Sequence, residues 1–146
     1  MPQEKSSNKF RTCSPEETER LGEELAHKLH QGMTVLLFGN LGAGKTTLTR
    51  GICRTFGASL TKSPSFIIIN VYEGIIPVYH IDLYRVREMD TVTAGEIQEF
   101  LWNEDAVKIV EWAERLPEEL VPLNAVHIEI ERISENEREF LIEGFK

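Results

Sequence analysis

One uninterrupted stretch, Gly39-Asn40-Leu41-Gly42-Ala43-Gly44-Lys45-Thr46, matches the spacing G-x-x-x-x-G-K-[ST] at every position and limits what the rest of the chain can be. Met33 to Phe38 before it is a short apolar run with strand character. Thr47 to Phe56 after it places Leu48, Ile52 and Phe56 at helical spacing. A strand, a glycine-rich loop and a helix in that order form a phosphate cradle. Glycines let the backbone wrap closely around a polyphosphate, so that amide hydrogens converge and the helix start adds positive potential. Lys45 brings a full charge toward β and γ phosphates, and the Thr46 hydroxyl suits Mg²⁺, a hard cation that prefers oxygen ligands. An ordinary strand-to-helix turn needs one or two glycines and does not call for Gly44, Lys45 and Thr46 in sequence.

The remaining composition sets bounds. With 146 residues, 41% of them hydrophobic and 27% charged, the chain is predicted to form one domain over residues 1–146, with residues 1–9 as a loose end. No apolar run approaches the roughly 20 residues that span a bilayer, and the polar start lacks a signal-peptide core, so a soluble, cytoplasmic protein is expected. Cys13 and Cys53 show no metal-ligand spacing, and Cys53 falls within the helix after the loop, where a small apolar side chain suits. A formal charge of -8 argues against this chain alone binding nucleic acid strongly. ATP is an anion too, but loop amides, Lys45 and Mg²⁺ act locally, within the ~10 Å over which salt screens the diffuse negative surface.

Along the chain, Phe10 to Cys13 reads as a short edge strand. Ser14-Pro15-Glu16-Glu17 reads as a helix start with Ser14 as N-cap and Glu17 closing a capping box. Leu21, Leu25, Ala26 and Leu29 form that helix's buried stripe, Gly32 ends it, and His27 and His30 lie near its C-terminus at the surface. Ala58 to Ser65 is expected to be a polar connection. It is either a switch loop beside the γ-phosphate, with Lys62 and the hydroxyls, or a plain turn. Phe66 to Tyr72 and Ile76 to Asp82 form a hairpin, which makes part of the sheet antiparallel.

Asp82, at the exit of its strand, either orients a water or metal shell or pairs with Arg85 or a backbone amide. Thr93 to Asn103 is an amphipathic helix with Ile97, Phe100 and Leu101 inward. Val107 to Val110 runs as an apolar strand into Glu111. An acid there is the usual second metal element of phosphate-loop enzymes, and an unpaired buried glutamate is costly. Ala113 to Pro117 leaves through a helical turn. Asn124 to Glu131 alternates with His127 outward, and Arg138 to Ile142 returns as a last strand.

Gly39 to Thr47, Lys62-Ser63-Pro64-Ser65-Phe66, His80-Ile81-Asp82-Leu83-Tyr84-Arg85 and Glu111-Trp112, taken together, resemble the bacterial TsaE family, also called the YjeE family. The resemblance implies an α/β fold, a P-loop NTPase with a mixed parallel and antiparallel sheet and helices on both faces. It further implies an ATPase that supports formation of N6-threonylcarbamoyladenosine next to the anticodon of tRNA. Such a protein acts on a TsaD-type transferase with its TsaB-type partner and meets tRNA only through them. Carried over by position, Asn40, Leu41, Gly42, Ala43, Gly44, Lys45, Thr46 and Thr47 hold ATP and Lys45 binds its phosphates. Thr46 and Glu111 hold Mg²⁺, and Lys45, Asp82 and Glu111 support catalysis. Ser14, Ser65 and Trp112 lie near the nucleotide, Trp112 alternatively near the partner. Ser65 stands where the family usually has threonine, which keeps the hydroxyl but loses the stiffening methyl.

Two rivals remain from the sequence. A small-molecule phosphotransferase needs an acceptor pocket and usually a basic lid, yet between Tyr84 and Val107 the only arginines are Arg85 and Arg87. A nucleotide-gated scaffold would bind ATP without significant hydrolysis. With no arginine finger evident in the sequence, the expected hydrolysis is slow without partners.

Overall fold

The computed structural model describes residues 7–40, 44–62, 69–86 and 88–145. Its centre is four parallel strands, β2 (Thr34–Phe38), β5 (Val78–Asp82), β6 (Val107–Glu111) and β7 (Ala125–Arg132), ordered β7-β2-β6-β5. Antiparallel strands extend both edges. On one side β7 pairs with β8 (Arg138–Glu143), which pairs with β1 (Ser7–Thr12). On the other, β5 pairs with β4 (Ile69–Glu73), which pairs with β3 (Ser59–Lys62). Among the described residues the outcome is one mixed 8-stranded sheet, and the predicted hairpin is its β4–β5 pair from Ile69 onward, with Phe66 to Ile68 outside the described residues.

Two cores sandwich the sheet because alternate residues of each central strand face opposite sides. Val35, Leu37, Val107, Ile109, Val126 and Ile128 pack under α1 (Pro15–Ala26) and α2 (Lys45–Thr55). Leu36, Ile81 and Val110 pack against α3 (Thr91–Leu101) and the short turns that carry Leu116 and Leu120. Helices therefore cover both faces. The α1–α2 contact is close enough to require glycine: a Cβ on Gly51 would strike the Glu19 carbonyl oxygen, and one on Gly22 the Leu48 carbonyl oxygen. Cys53 sits in this layer, where burial pushes its thiol up to about 12, so it behaves as an apolar side chain.

Four expectations need correction. Residues 7–9, read as part of a loose end, are the first half of β1 and pair with β8, because Ile142 and Leu141 offer them a strand to lie against. Ser59–Lys62, read as a polar connection, is an edge strand whose order comes from pairing with β4, since its own sequence lacks apolar alternation. Helix α1 stops at Ala26, with His27 as its C-cap, so His30 and Gly32 fall in the turn beyond it, although Leu29 is still buried. His127 is half-buried rather than a surface histidine, and its ring stacks on Phe38 at 5.7 Å. Among the described residues no helix is long and apolar enough to cross a membrane.

Candidate nucleotide site

Strand β2 ends at Phe38, and α2 begins at Lys45 after Gly44, whose φ of 107° suits a residue without a Cβ. Asn40 is exposed, and Leu41, Gly42 and Ala43 lie outside the described residues. Lys45 is 6% exposed; its Nζ donates to the Gly39 carbonyl at 2.8 Å and sits 3.8 Å from the centre of the Trp112 ring. Burial holds its ammonium below the usual 10.5; Glu111, Glu114 and Asp82 oppose that shift and Arg115 adds to it. Thr46, exposed, and Thr47, half-buried, occupy the first turn of α2 beside it.

The neighbouring strand β6 delivers the acid. Glu111 pairs in register with Leu37 on one side and Asp82 on the other, at the carboxyl ends of the parallel strands, where ligands of α/β folds collect. The residue is only 4% exposed, and its Oε2 lies 2.8 Å from His80 Nε2. A carboxylate only accepts hydrogen bonds, so the imidazole donates through Nε2. Glu111 Oε1 is also buried and has no hydrogen-bond partner among the described residues. Such an orphan acceptor is costly in isolation and suits a cation or its water, which makes the donor set compatible with Mg²⁺. Asp82, half-buried, accepts from the Tyr84 amide at 3.0 Å; of the pairings considered for it, the backbone amide is the one that forms.

Trp112 follows Glu111 with φ 59°, the one non-glycine residue with positive φ among those described. That turn lays its indole against Lys45 and near Arg115, whose Cζ is 5.1 Å from the ring centre, with the Tyr84 ring centre also at 5.1 Å. Arg115 in turn donates to the carbonyl oxygens of Leu83 and Tyr84. On the far side of the loop's end, a Cβ on Gly44 would meet Arg138 and Thr18, so β8 and the first turns of α1 flank the cradle. Ser14 caps that helix by accepting from the Glu17 amide at 3.1 Å. Glu17 reaches back to the Cys13 amide, one residue earlier than a capping box requires. Ser65, the remaining predicted site residue, lies outside the described residues.

The fold thus gathers Lys45, Thr46, Asp82, Glu111 and Trp112 at one end of the sheet. His80, Arg115 and Arg138 join them without having been singled out from the sequence. For His80 a signal existed: a polar residue two positions after Val78, on the inward side of its strand.

The family model described as threonylcarbamoyl adenosine biosynthesis protein TsaE matches residues 12–140. A Bacillus subtilis protein named tRNA threonylcarbamoyladenosine biosynthesis protein TsaE is 38% identical over 133 residues, covering 90% of this chain and 82% of its own. A Treponema pallidum protein of the same name is 32% identical, covering 88% of this chain and 95% of its own. The crystal structure of YdiB from Bacillus subtilis superposes with a TM-score of 0.75 at 32% identity, covering 99% of this chain and 90% of that one. With the match extending from β1 into β8 and taking in the loop, Asp82 and Glu111, the chain belongs to the TsaE family of tRNA threonylcarbamoyladenosine biosynthesis proteins.

Proposed function

We propose that residues 1–146 form one cytoplasmic ATPase unit that binds Mg·ATP in the loop from Gly39 to Thr47 and hydrolyses it slowly alone. Its hydrolysis drives a TsaD-type transferase with its TsaB-type partner in making N6-threonylcarbamoyladenosine, and tRNA is met only through that complex. The observation that carries the reading is the meeting of a buried ammonium and a buried carboxylate with an orphan oxygen: Lys45 at the start of α2, the helix after β2, and Glu111 at the end of β6, the parallel strand beside β2. Lys45 exchanges the Gly39 carbonyl for phosphate oxygens. Thr46 and Glu111 would hold Mg²⁺, which supplies charge neutralisation between the β and γ phosphates. Asp82, across the ladder from Glu111, orients the attacking water, and Trp112 walls the phosphate lysine from solvent. Turnover is slow because Arg115 is committed to main-chain carbonyls, so a partner completes the charge stabilisation.

The test is phosphate release from Mg·ATP by the wild type and Lys45→Ala, each with and without a TsaD/TsaB-type complex. Release that rises with the complex and vanishes in Lys45→Ala is expected. A phosphorylated metabolite without free phosphate would make the protein a phosphotransferase, and bound ATP left intact under every condition would make it a scaffold.

A further inference from the structure

We infer that His80 is a positioning residue that fixes the Glu111 carboxylate for a divalent cation, which rests on the reading of Glu111 as a Mg²⁺ ligand. The geometry divides the two carboxylate oxygens. Oε2 takes the His80 Nε2 hydrogen at 2.8 Å, while Oε1, like His80 Nδ1, is buried with no hydrogen-bond partner among the described residues. Ring packing and a backbone hydrogen bond hold the pair in place. The imidazole sits edge-on to Tyr72, with ring centres 6.5 Å apart at 63°, and the Glu111 carbonyl accepts from the Leu83 amide at 3.1 Å. A glutamate has three side-chain torsions, so without a fixed donor its carboxylate would sample orientations in which neither oxygen serves the metal. Hydrogen bonds to a metal-binding carboxylate or imidazole typically carry 10- to 100-fold in metal affinity.

The measurement is the affinity for ADP in Mg²⁺ and in EDTA, whose ratio reports the cation's contribution without turnover. His80→Phe keeps a ring against Tyr72 and removes the donor, so the ratio should fall about 10-fold while affinity in EDTA stays at the wild-type value. His80→Gln places an amide NH₂ near the position of Nε2 and should restore the ratio to within about threefold. His80→Asn, too short to reach Oε2, should behave as Phe does and stands in for it if the Phe variant does not fold. A wild-type ratio in His80→Phe or His80→Asn, or equal losses in Gln and Asn, overturns the inference. Glu111→Gln separates the two readings. If it abolishes the ratio while the His80 variants retain it, only the inference fails; if the wild type shows no Mg²⁺ dependence, both fail.

Discussion

Replacing Glu111 by glutamine should cripple the site and leave the fold about as stable. The residue is 4% exposed and among the described residues has one hydrogen-bond donor, the His80 imidazole at 2.8 Å, so a carboxylate there has given up its hydration for a single hydrogen bond. A hydrogen bond to a charged group contributes ~1.5–3 kcal/mol and a neutral one ~0.5–1.5 kcal/mol, so the exchange loses about 1 kcal/mol. Against this, an incompletely paired buried ion carries a desolvation cost of roughly several kcal/mol, which the isosteric amide does not. The variant also leaves the buried Lys45 ammonium without the carboxylate that opposes its desolvation, which offsets that gain and keeps the two proteins within about 1–2 kcal/mol of each other. In a domain of this size each kcal/mol moves Tm by about 2–4 °C, so calorimetry of the nucleotide-free protein should show a change of no more than about 2–8 °C. Phosphate release should fall on the order of 10²-fold, about 2.7 kcal/mol of barrier, because the cation loses its anionic ligand. A variant destabilised by more than about 2 kcal/mol with its turnover intact would refute this reasoning and make Glu111 a structural residue.

Lys45→Met should raise Tm at neutral pH while abolishing saturable nucleotide binding. Burial holds the Lys45 ammonium below 10.5, so its charged form costs the folded state stability at every pH below the folded value. That cost fades as pH rises from the folded value toward 10.5, so the gap between variant and wild type should narrow in alkaline melts. Lys108→Met probes the opposite end of the sheet. Burial holds this ammonium below 10.5 as well, but unlike Lys45 it donates to two carbonyls, of Gly32 and Asn103, that methionine would leave without this donor, so the variant should lose about 2–4 kcal/mol in denaturant melts, with ADP affinity unchanged in the protein that remains folded. Gly51→Ala should cost about 1–3 kcal/mol in the same melts and weaken ADP binding, because α2 must move off the Glu19 carbonyl and carries Lys45 with it.

The sequence made some features visible because one local rule governed each. The loop's glycines and Gly44-Lys45-Thr46 fixed the strand, turn and helix around the cradle, and Ser14 with Pro15 fixed the start of α1. A mostly apolar run before Glu111, broken only by Lys108, gave β6 and its buried acid. What escaped was set by partners distant in sequence. Ser59–Lys62 is a strand only because β4 lies beside it. Helix α1 stops at Ala26 although the leucine spacing continues to Leu29, which is buried from the turn. Lys108 sits in the middle of an apolar strand because two main-chain carbonyls at the strand's beginning receive its ammonium, an arrangement that only the fold provides. The His80–Glu111 bond joins side chains 31 positions apart. Arg115 and Arg138 reach the site from a short turn and from β8, a strand between β1 and β7, elements whose sequences announce no function.

The claim beneath all of this is that a cradle formed by Gly39 to Thr47 and backed by Glu111 holds a magnesium nucleotide on a chain of net charge -8. Isothermal titration calorimetry with Mg·ADP and Mg·ATP tests it directly. The account predicts saturable binding with one site per chain for the wild type, weakened in EDTA and absent in Lys45→Ala. No saturable heat from the wild type, or an unchanged isotherm in Lys45→Ala, would contradict it.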